Sequence, residues 1–283
     1  MHQKISNVCI VTKAAYAEAT ELGQRLLDWL VQRDVHGVVY ENGSTDWLNE
    51  SKADSCDLVV VLGGDGTLLS VARHLVGREI PVVGINMGKV GFLAEIPKDA
   101  WEEHVQALLD GKVALKRRLA LSCTVERNGE TVFRGVAAND FVISRGALAR
   151  VVHLDLEVNG EPMGMVRSDG IIIASPAGST GYAISAGGPL VHPDMDAYSV
   201  TPICPFLRSM YPMVLPGEHS FVAIVRSHDA DLFITQDGQE GILLKDGDKI
   251  SISKAKDGLL YAEFVENSYY SKLLSKGFIG EKC

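Results

Sequence analysis

Cysteine, long apolar runs and positive charge are all scarce in this sequence, and each shortage removes a class of function. The five cysteines, Cys9, Cys56, Cys123, Cys204 and Cys283, form an odd set with no Cys-x-x-Cys spacing and no histidine at zinc-ligand distance. A disulfide framework or zinc finger is therefore not expected, and the thiols read as reduced. The eight histidines stand without ligand spacing, so no structural metal is expected either. No apolar run approaches the roughly 18 residues that span a bilayer. Lys13 also interrupts what would be a signal-peptide core, which points to a cytoplasmic protein with no membrane partner. Lysine and arginine number 27 against 36 acidic residues, a net charge of -9. Broad binding of nucleic acid needs a basic surface, so no nucleic-acid partner is expected. An anionic ligand must be held locally, by backbone donors or by a metal ion. Small phosphorylated molecules fit that requirement.

What is present is enough apolar residue, 46% of 283, for two cores. The rhythm changes near residue 115. Before it, short apolar runs alternate with helical spacing: VCIV at 8–11, Leu22, Leu26 and Leu30 on one helix face, GVVY at 37–40, LVVVL at 58–62, a helix from about Leu68, and IPVVGIN at 80–86. A further helix after Pro97 carries Trp101, Val105, Leu108 and Leu109. Alternating β and α signals predict a doubly wound parallel sheet. After it, LALSCTV at 119–125 alternates strictly, and Asn128-Gly129 and Asn159-Gly160 are hairpin turn signals. FVAIV (221–225), DLFIT (231–235), DKISIS (248–253) and LLYAEF (259–264) read as further strands. The expected architecture is α/β plus all-β: an α/β domain over 1–115 and a mainly antiparallel β-sandwich domain over 116–283, whose C-terminal segment could pack back on the first. There is no internal repeat.

The segment VVVLGGDGTLL, 59–69, runs a strand into a glycine-rich turn and a helix, the place where backbone N–H groups gather phosphates. It fits neither a Rossmann fingerprint, which needs glycine where Leu69 stands, nor a Walker loop. GINMGKV, 84–90, is one residue short of a Walker loop and has Val90 where a hydroxyl belongs. Asp65, in the middle of the turn, would repel phosphate unless it acts on something else or a metal intervenes. A plain β-to-α connection with Asp65 as helix cap is the structural alternative. A second segment, DGIIIASPAGSTGYAISAGGPLVHPD at 169–194, runs a buried-looking strand into a loop dense in small and hydroxyl residues beside Tyr182. Such a loop lets backbone approach a flat polar ligand while the ring stacks on it. It lacks the glycine at 177 that a serine-hydrolase elbow requires.

GGDGT at 63–67, Asn139-Asp140, SPAGSTGYAISAGGP at 175–189 and TPICP at 201–205, in this order and spacing, resemble the motif set of the NAD kinase family over nearly the whole chain. The resemblance implies transfer of the γ-phosphoryl group of ATP, with Mg²⁺, to the 2′-hydroxyl of the adenosine ribose of NAD, giving NADP. It implies Asp65 as the acid that accepts the attacking hydroxyl's proton, with Gly63, Gly64, Gly66 and Thr67 around the phosphates. Asn139 and Asp140 match a donor and acceptor pair for ribose or amide contacts, a loop cap being the alternative. Asp169 resembles a nicotinamide-side ligand, and Thr180, Gly181, Tyr182 and Ser185 match the adenine and ribose pocket. Phe92 matches an aromatic lining the adenine site, and a core phenylalanine is the alternative. Arg167 resembles the residue that goes with restriction to ATP over polyphosphate, a solvated strand-edge arginine being the alternative. The sequence departs from the family at Ala177, usually threonine, at Gly181, usually alanine, and at Phe206, often histidine. A homodimer or homotetramer is implied as well. The rival functions are a lipid or sugar kinase sharing GGDGT, and a non-catalytic NADP-binding regulator.

Overall fold

In this computed structural model residues 4–43, 55–88, 91–146, 151–208, 210–227, 231–264 and 268–280 are described. Lys89 and Val90, which end the run short of a Walker loop, and Cys283 lie outside them. The chain divides into two compact units, Met1–Arg117 with Leu259–Cys283, and Arg118–Gly258.

The first unit holds β1 (Asn7–Thr12), α1 (Ala17–Val31), β2 (His36–Glu41), β3 (Leu58–Gly63), α2 (Asp65–Ala72), β4 (Val82–Asn86), β5 (Ile96–Pro97), α3 (Trp101–Leu109) and β6 (Ala114–Arg118). To these it adds β19 (Leu259–Glu263) and α5 (Tyr269–Ser275) from the end of the chain. The sheet runs β2-β1-β3-β4-β19-β6, with β5 beside β4. The β1–β2, β1–β3, β3–β4, β4–β5 and β4–β19 pairings are parallel. Leu58, Val60 and Leu62 on one face of β3, with Val83 and Ile85 of β4, pack on α1 through Leu22, Leu26 and Leu30 and on α3 through Trp101, Val105 and Leu108. Each such fully buried leucine contributes about 1.5–3 kcal/mol. On the opposite face Leu68 of α2 comes within 3.3 Å of where a Cβ on Gly84 would stand. Helices on both faces of a parallel sheet make this layer doubly wound. LLYAEF alternates like the antiparallel strands before it, yet its strand pairs in parallel with β4 through Tyr261 and Val82. Alternation reports one buried face and carries no information on the partner's direction.

The second unit is two six-stranded sheets, β11-β10-β15-β18-β7-β8 and β14-β13-β12-β9-β16-β17. Its strands are β7 (Leu121–Arg127), β8 (Glu130–Ala137), β9 (Asp140–Arg145), β10 (Val152–Val158), β11 (Glu161–Ser168), β12 (Gly170–Ala174), β13 (Ala197–Ile203), β14 (Met213–Pro216), β15 (Phe221–Val225), β16 (Leu232–Gln236), β17 (Glu240–Leu244) and β18 (Lys249–Lys254). The short helix α4 (Tyr182–Ser185) follows β12. Neighbouring strands pair antiparallel. Alternate residues from both sheets, Leu121, Cys123 and Val125 among them, meet Ile171, Ile173, Phe221 and Ile234 in one core. The two Asn-Gly turns adopt left-handed φ at both positions, 51° and 82° at 128–129 and 51° and 81° at 159–160, as two-residue hairpins require. β12 is apolar throughout because both its faces are covered: Ile171 and Ile173 enter the sandwich core, while Ile172 and Ala174 pack with Val142 and with Ala183 of α4.

Candidate functional site

The glycine-rich turn of the first unit is built by close approach. Gly63 ends β3 where a Cβ would fall 2.6 Å from the Thr67 side chain, so glycine lets the first turn of α2 fold back on the strand. Gly64, extended at φ -102° and ψ -172°, is the N-cap, and α2 begins at Asp65, three residues before the start expected at Leu68. Gly66 within the first turn disfavours a helix start there, and burial of Leu68, Leu69, Val71 and Ala72 outweighs it. A Cβ on Gly64 or Gly66 would meet open space.

Asp65 does not cap its own helix. Its carboxylate reaches to the 91–94 segment and accepts three backbone N–H groups, Phe92 at 2.8 Å on Oδ2, and Leu93 at 3.1 Å and Ala94 at 2.9 Å on Oδ1. Gly91 makes this approach possible, since a Cβ there would lie 1.9 Å from Oδ1. Of the about four acceptor positions on a carboxylate, the one left over belongs to Oδ2. Asp65 lines a cavity of about 360 Å³ together with Lys13, Tyr16, Gly64, Asn86, Met87, Gly88 and Gly91. The Lys13 ammonium lies 5.0 Å from the Tyr16 ring centroid. Asn86, at the end of β4, fixes the far wall by accepting the Gly88 N–H at 2.7 Å. Among the described residues the cavity therefore presents the Asp65 carboxylate, the Lys13 ammonium and the positive end of α2. Phe92 turns to the C-terminal segment, where its ring meets Tyr269 and Phe278 edge to face, both at 6.0 Å.

In the second unit the small-residue loop sits on the Asn139-Asp140 corner. Ser175 donates its N–H to the Asn139 carbonyl at 2.8 Å and its hydroxyl to the Ala138 carbonyl at 2.6 Å. A Cβ on Gly178 would fall 2.2 Å from the Asn139 carbonyl oxygen. The Cβ position of Gly181 lies 3.7 Å from the Asn139 side-chain nitrogen and 3.9 Å from Asp140 Oδ2, so these three residues converge. Asp237 closes the corner from below, its carboxylate accepting the N–H groups of Ala138, Asn139 and Asp140 at 3.0, 2.7 and 3.1 Å. Burial, with the Asp237 carboxylate beside it, pushes the Asp140 carboxyl up to about 7.

The remaining sequence candidates are placed less tightly. Tyr182 opens α4 with about half its surface, 49%, exposed, and Ser185 ends that helix, also exposed. Thr180 turns its hydroxyl onto the Ala177 carbonyl at 3.0 Å. Asp169 is held by a bidentate ion pair from Arg145 at 2.9 and 3.1 Å. Arg167 is exposed on β11, opposite His153 of β10. Lys13, Asn86, Gly91, Arg145 and Asp237 carry no motif. For Asp237 alone a local signal existed, the Asp-Gly pair between two strands, which marks a hairpin but not where the carboxylate points.

Sequence models of the family match both parts of the chain, the ATP-NAD kinase N-terminal domain over residues 8–113 and the ATP-NAD kinase C-terminal domain over 138–264. An NAD kinase of Nitratidesulfovibrio vulgaris (strain DSM 19637 / Miyazaki F) is 48% identical over the full length of both chains. One of Geobacter metallireducens is 38% identical, over 98% of this chain and all of its own. Among solved structures, yeast NADH kinase with NADH superposes with a TM-score of 0.89 at 24% identity, over 99% of this chain and 90% of its own. An NAD kinase of Archaeoglobus fulgidus with ATP gives 0.78 at 26%, over 96% of this chain and all of its own. With both parts matched and relatives alike from end to end, this chain belongs to the NAD kinase family.

Proposed function

We infer that the protein transfers the γ-phosphoryl group of ATP to the 2′-hydroxyl of the adenosine ribose of NAD, producing NADP. The observation that carries this reading is the Asp65 carboxylate of the 360 Å³ cavity, held at the glycine-rich turn by backbone amides with one Oδ2 position left to accept a proton. Oδ2 of Asp65 takes the proton of the 2′-hydroxyl as its oxygen bonds to the γ-phosphorus. The bond from that phosphorus to the β,γ-bridging oxygen breaks, and ADP leaves with the electron pair. Lys13 and the amides at the head of α2, at Gly64, Gly66 and Thr67, receive the phosphates. Reactions of this type depend on positioning and charge stabilisation, so a site with few basic residues is chemically adequate.

Mg²⁺ enters as the Mg-ATP complex. Among the described residues no group of three or more His, Cys, Asp or Glu side chains could hold a metal. One carboxylate beside substrate phosphates is nonetheless an ordinary environment for this ion. Its contribution when bound is to neutralise phosphate charge.

The second unit recognises the dinucleotide. Asn139 and Asp140 offer a donor and a carboxyl that changes charge near neutrality to the ribose or amide, Gly181 lets the ligand approach, and Tyr182 stacks on a base. Thr180 and Ser185 contribute to the adenine and ribose pocket, and Asp169, oriented by Arg145, contributes at the nicotinamide side. Phe92 keeps two readings, adenine wall and anchor for the C-terminal segment. No helix among the described residues is long and apolar enough to cross a membrane, in keeping with a cytoplasmic enzyme. A homodimer or homotetramer is supported by apolar side chains exposed on the second unit, Met163, Met165, Phe206, Leu207 and Tyr211.

Incubation of the purified protein with Mg-ATP and NAD, scoring NADP, tests the activity. Parallel arms with diacylglycerol, fructose 6-phosphate and NADH separate the lipid-kinase and sugar-kinase alternatives and the redox state of the acceptor. Arg167 predicts little turnover with polyphosphate as donor, and a rate equal to that with ATP contradicts that specificity.

A further inference from the structure

The amides that hold Asp65 belong to a segment whose side chains are gripped from the C-terminal end of the chain. Phe92, Leu93 and Ala94 donate to the carboxylate, and the side chains at both ends of the same stretch face α5. The Phe92 ring packs edge to face on Tyr269 and Phe278, at interplanar angles of 76° and 86°. The Lys272 ammonium lies 5.9 Å from the Phe92 ring centroid and makes an ion pair with Glu95. That pair is shielded from water, with side chains 13% and 6% exposed. Three consecutive amides, Phe92 to Ala94, thus meet Asp65 on one side, while the side chains of Phe92 and Glu95 anchor the segment to α5 on the other.

The helix itself is short, seven residues from Tyr269 to Ser275, capped by Ser268 and ended at Gly277 with φ 76°. A helix of this length does not persist alone in water, so its order comes from docking. Leu273 is buried beneath it. Docking of α5 sets Tyr269 and Lys272 against the side chains of Phe92 and Glu95.

We propose that Lys272 is a positioning residue for phosphoryl transfer: through its ion pair with Glu95, the C-terminal helix latches the Phe92–Ala94 amides in place and so fixes the Asp65 carboxylate for proton acceptance. The proposal rests on the reading of Asp65 as the base. Lys272 touches no substrate in this account. Its loss lets the amide cradle shift, and displacement of a reacting group by about 1 Å costs up to about a hundredfold in rate.

The test is steady-state kinetics of the full-length enzyme with Mg-ATP and NAD, comparing wild type with Lys272→Met, Lys272→Arg and Glu95→Gln/Lys272→Met. Lys272→Met keeps most of the apolar stem and removes the charge. The double variant removes both charges of the pair and replaces the single variant should that one not fold. The expected result is a kcat at least about tenfold lower for the methionine variants, with KM for both substrates within about threefold of wild type. Lys272→Arg should restore most of the rate. In an Asp65→Asn background Lys272→Met should cost less than about twofold, because the latch acts through Asp65. Hydrogen exchange at the 92–94 amides should quicken when Lys272 is changed. A kcat kept within twofold in the folded methionine variants overturns the latch alone, provided Asp65→Asn is slow. The same fold loss from Lys272→Met with and without Asp65 overturns it too. Undiminished turnover in Asp65→Asn overturns the base reading and the latch together.

Discussion

The Asp237 carboxylate accepts the backbone N–H of Asn139 at 2.7 Å across 98 residues of sequence. The same side chain takes the flanking amides of Ala138 and Asp140, so one turn residue of the β16–β17 hairpin shapes the corner on which the small-residue loop rests. Asp237→Asn keeps the shape but sets an NH₂ group against at least one of those amides. Hydrogen bonds to a charged group contribute about 1.5–3 kcal/mol, so NAD binding by calorimetry should weaken about tenfold or more. Unchanged affinity would show that the corner holds without Asp237.

The buried Asp140 carboxyl gives the second unit a pH signature. Its ionisation is pushed from 3.8 up to about 7 by burial and by Asp237. An acid whose folded value lies above its unfolded one binds more protons when folded, so stability is lost as pH rises from about 4 to about 7 and stays low above that. Urea unfolding of wild type and Asp140→Asn at pH 5 and pH 8 should show wild type losing stability across the interval relative to the variant, which cannot ionise. A constant difference at the two pH values would contradict this.

Gly91 tests the amide cradle from the other side. An added methyl would stand 1.9 Å from Asp65 Oδ1, closer than any non-bonded contact. In Gly91→Ala the carboxylate must move, and kcat should fall by about a hundredfold while circular dichroism stays native. A turnover near that of wild type would mean that the position of Asp65 is not critical.

Lys13 brings an ammonium to the cavity, and its role is separable from that of Asp65. Lys13→Met should raise KM for ATP by about tenfold, the weight of one charge-assisted contact with phosphate, and KM for NAD much less. Equal effects on both substrates would move Lys13 away from the phosphate donor.

Much of the fold was legible because the relevant physics is local. The alternation of Leu121, Cys123 and Val125, the leucine stripe of α1 and the two Asn-Gly turns depend on periodicity and on φ, which neighbours along the chain reveal. Asp65 could be singled out because a carboxylate amid phosphate-loop glycines is chemically odd. What held it could not: its amide partners lie 27 to 29 residues away. Nor could Asp237, whose turn is evident but whose reach to Asn139 is not. The direction of β19 and the grip of Lys272 on Glu95, 177 residues apart, are likewise set by tertiary packing. Phe92, matched in sequence to a ligand-facing aromatic, also meets Tyr269 and Phe278, a contact that no window of sequence contains.

In the proposed mechanism Asp65 removes the proton from the 2′-hydroxyl of NAD. Asp65→Asn retains volume and part of the hydrogen bonding to the 92–94 amides but has no basic oxygen of comparable strength. NADP formation under saturating Mg-ATP and NAD, measured for wild type and for a folded Asp65→Asn protein, should show kcat lowered at least about a hundredfold. Turnover in the variant within a few fold of wild type would contradict the account and leave Asp65 as an anchor for the 91–94 segment.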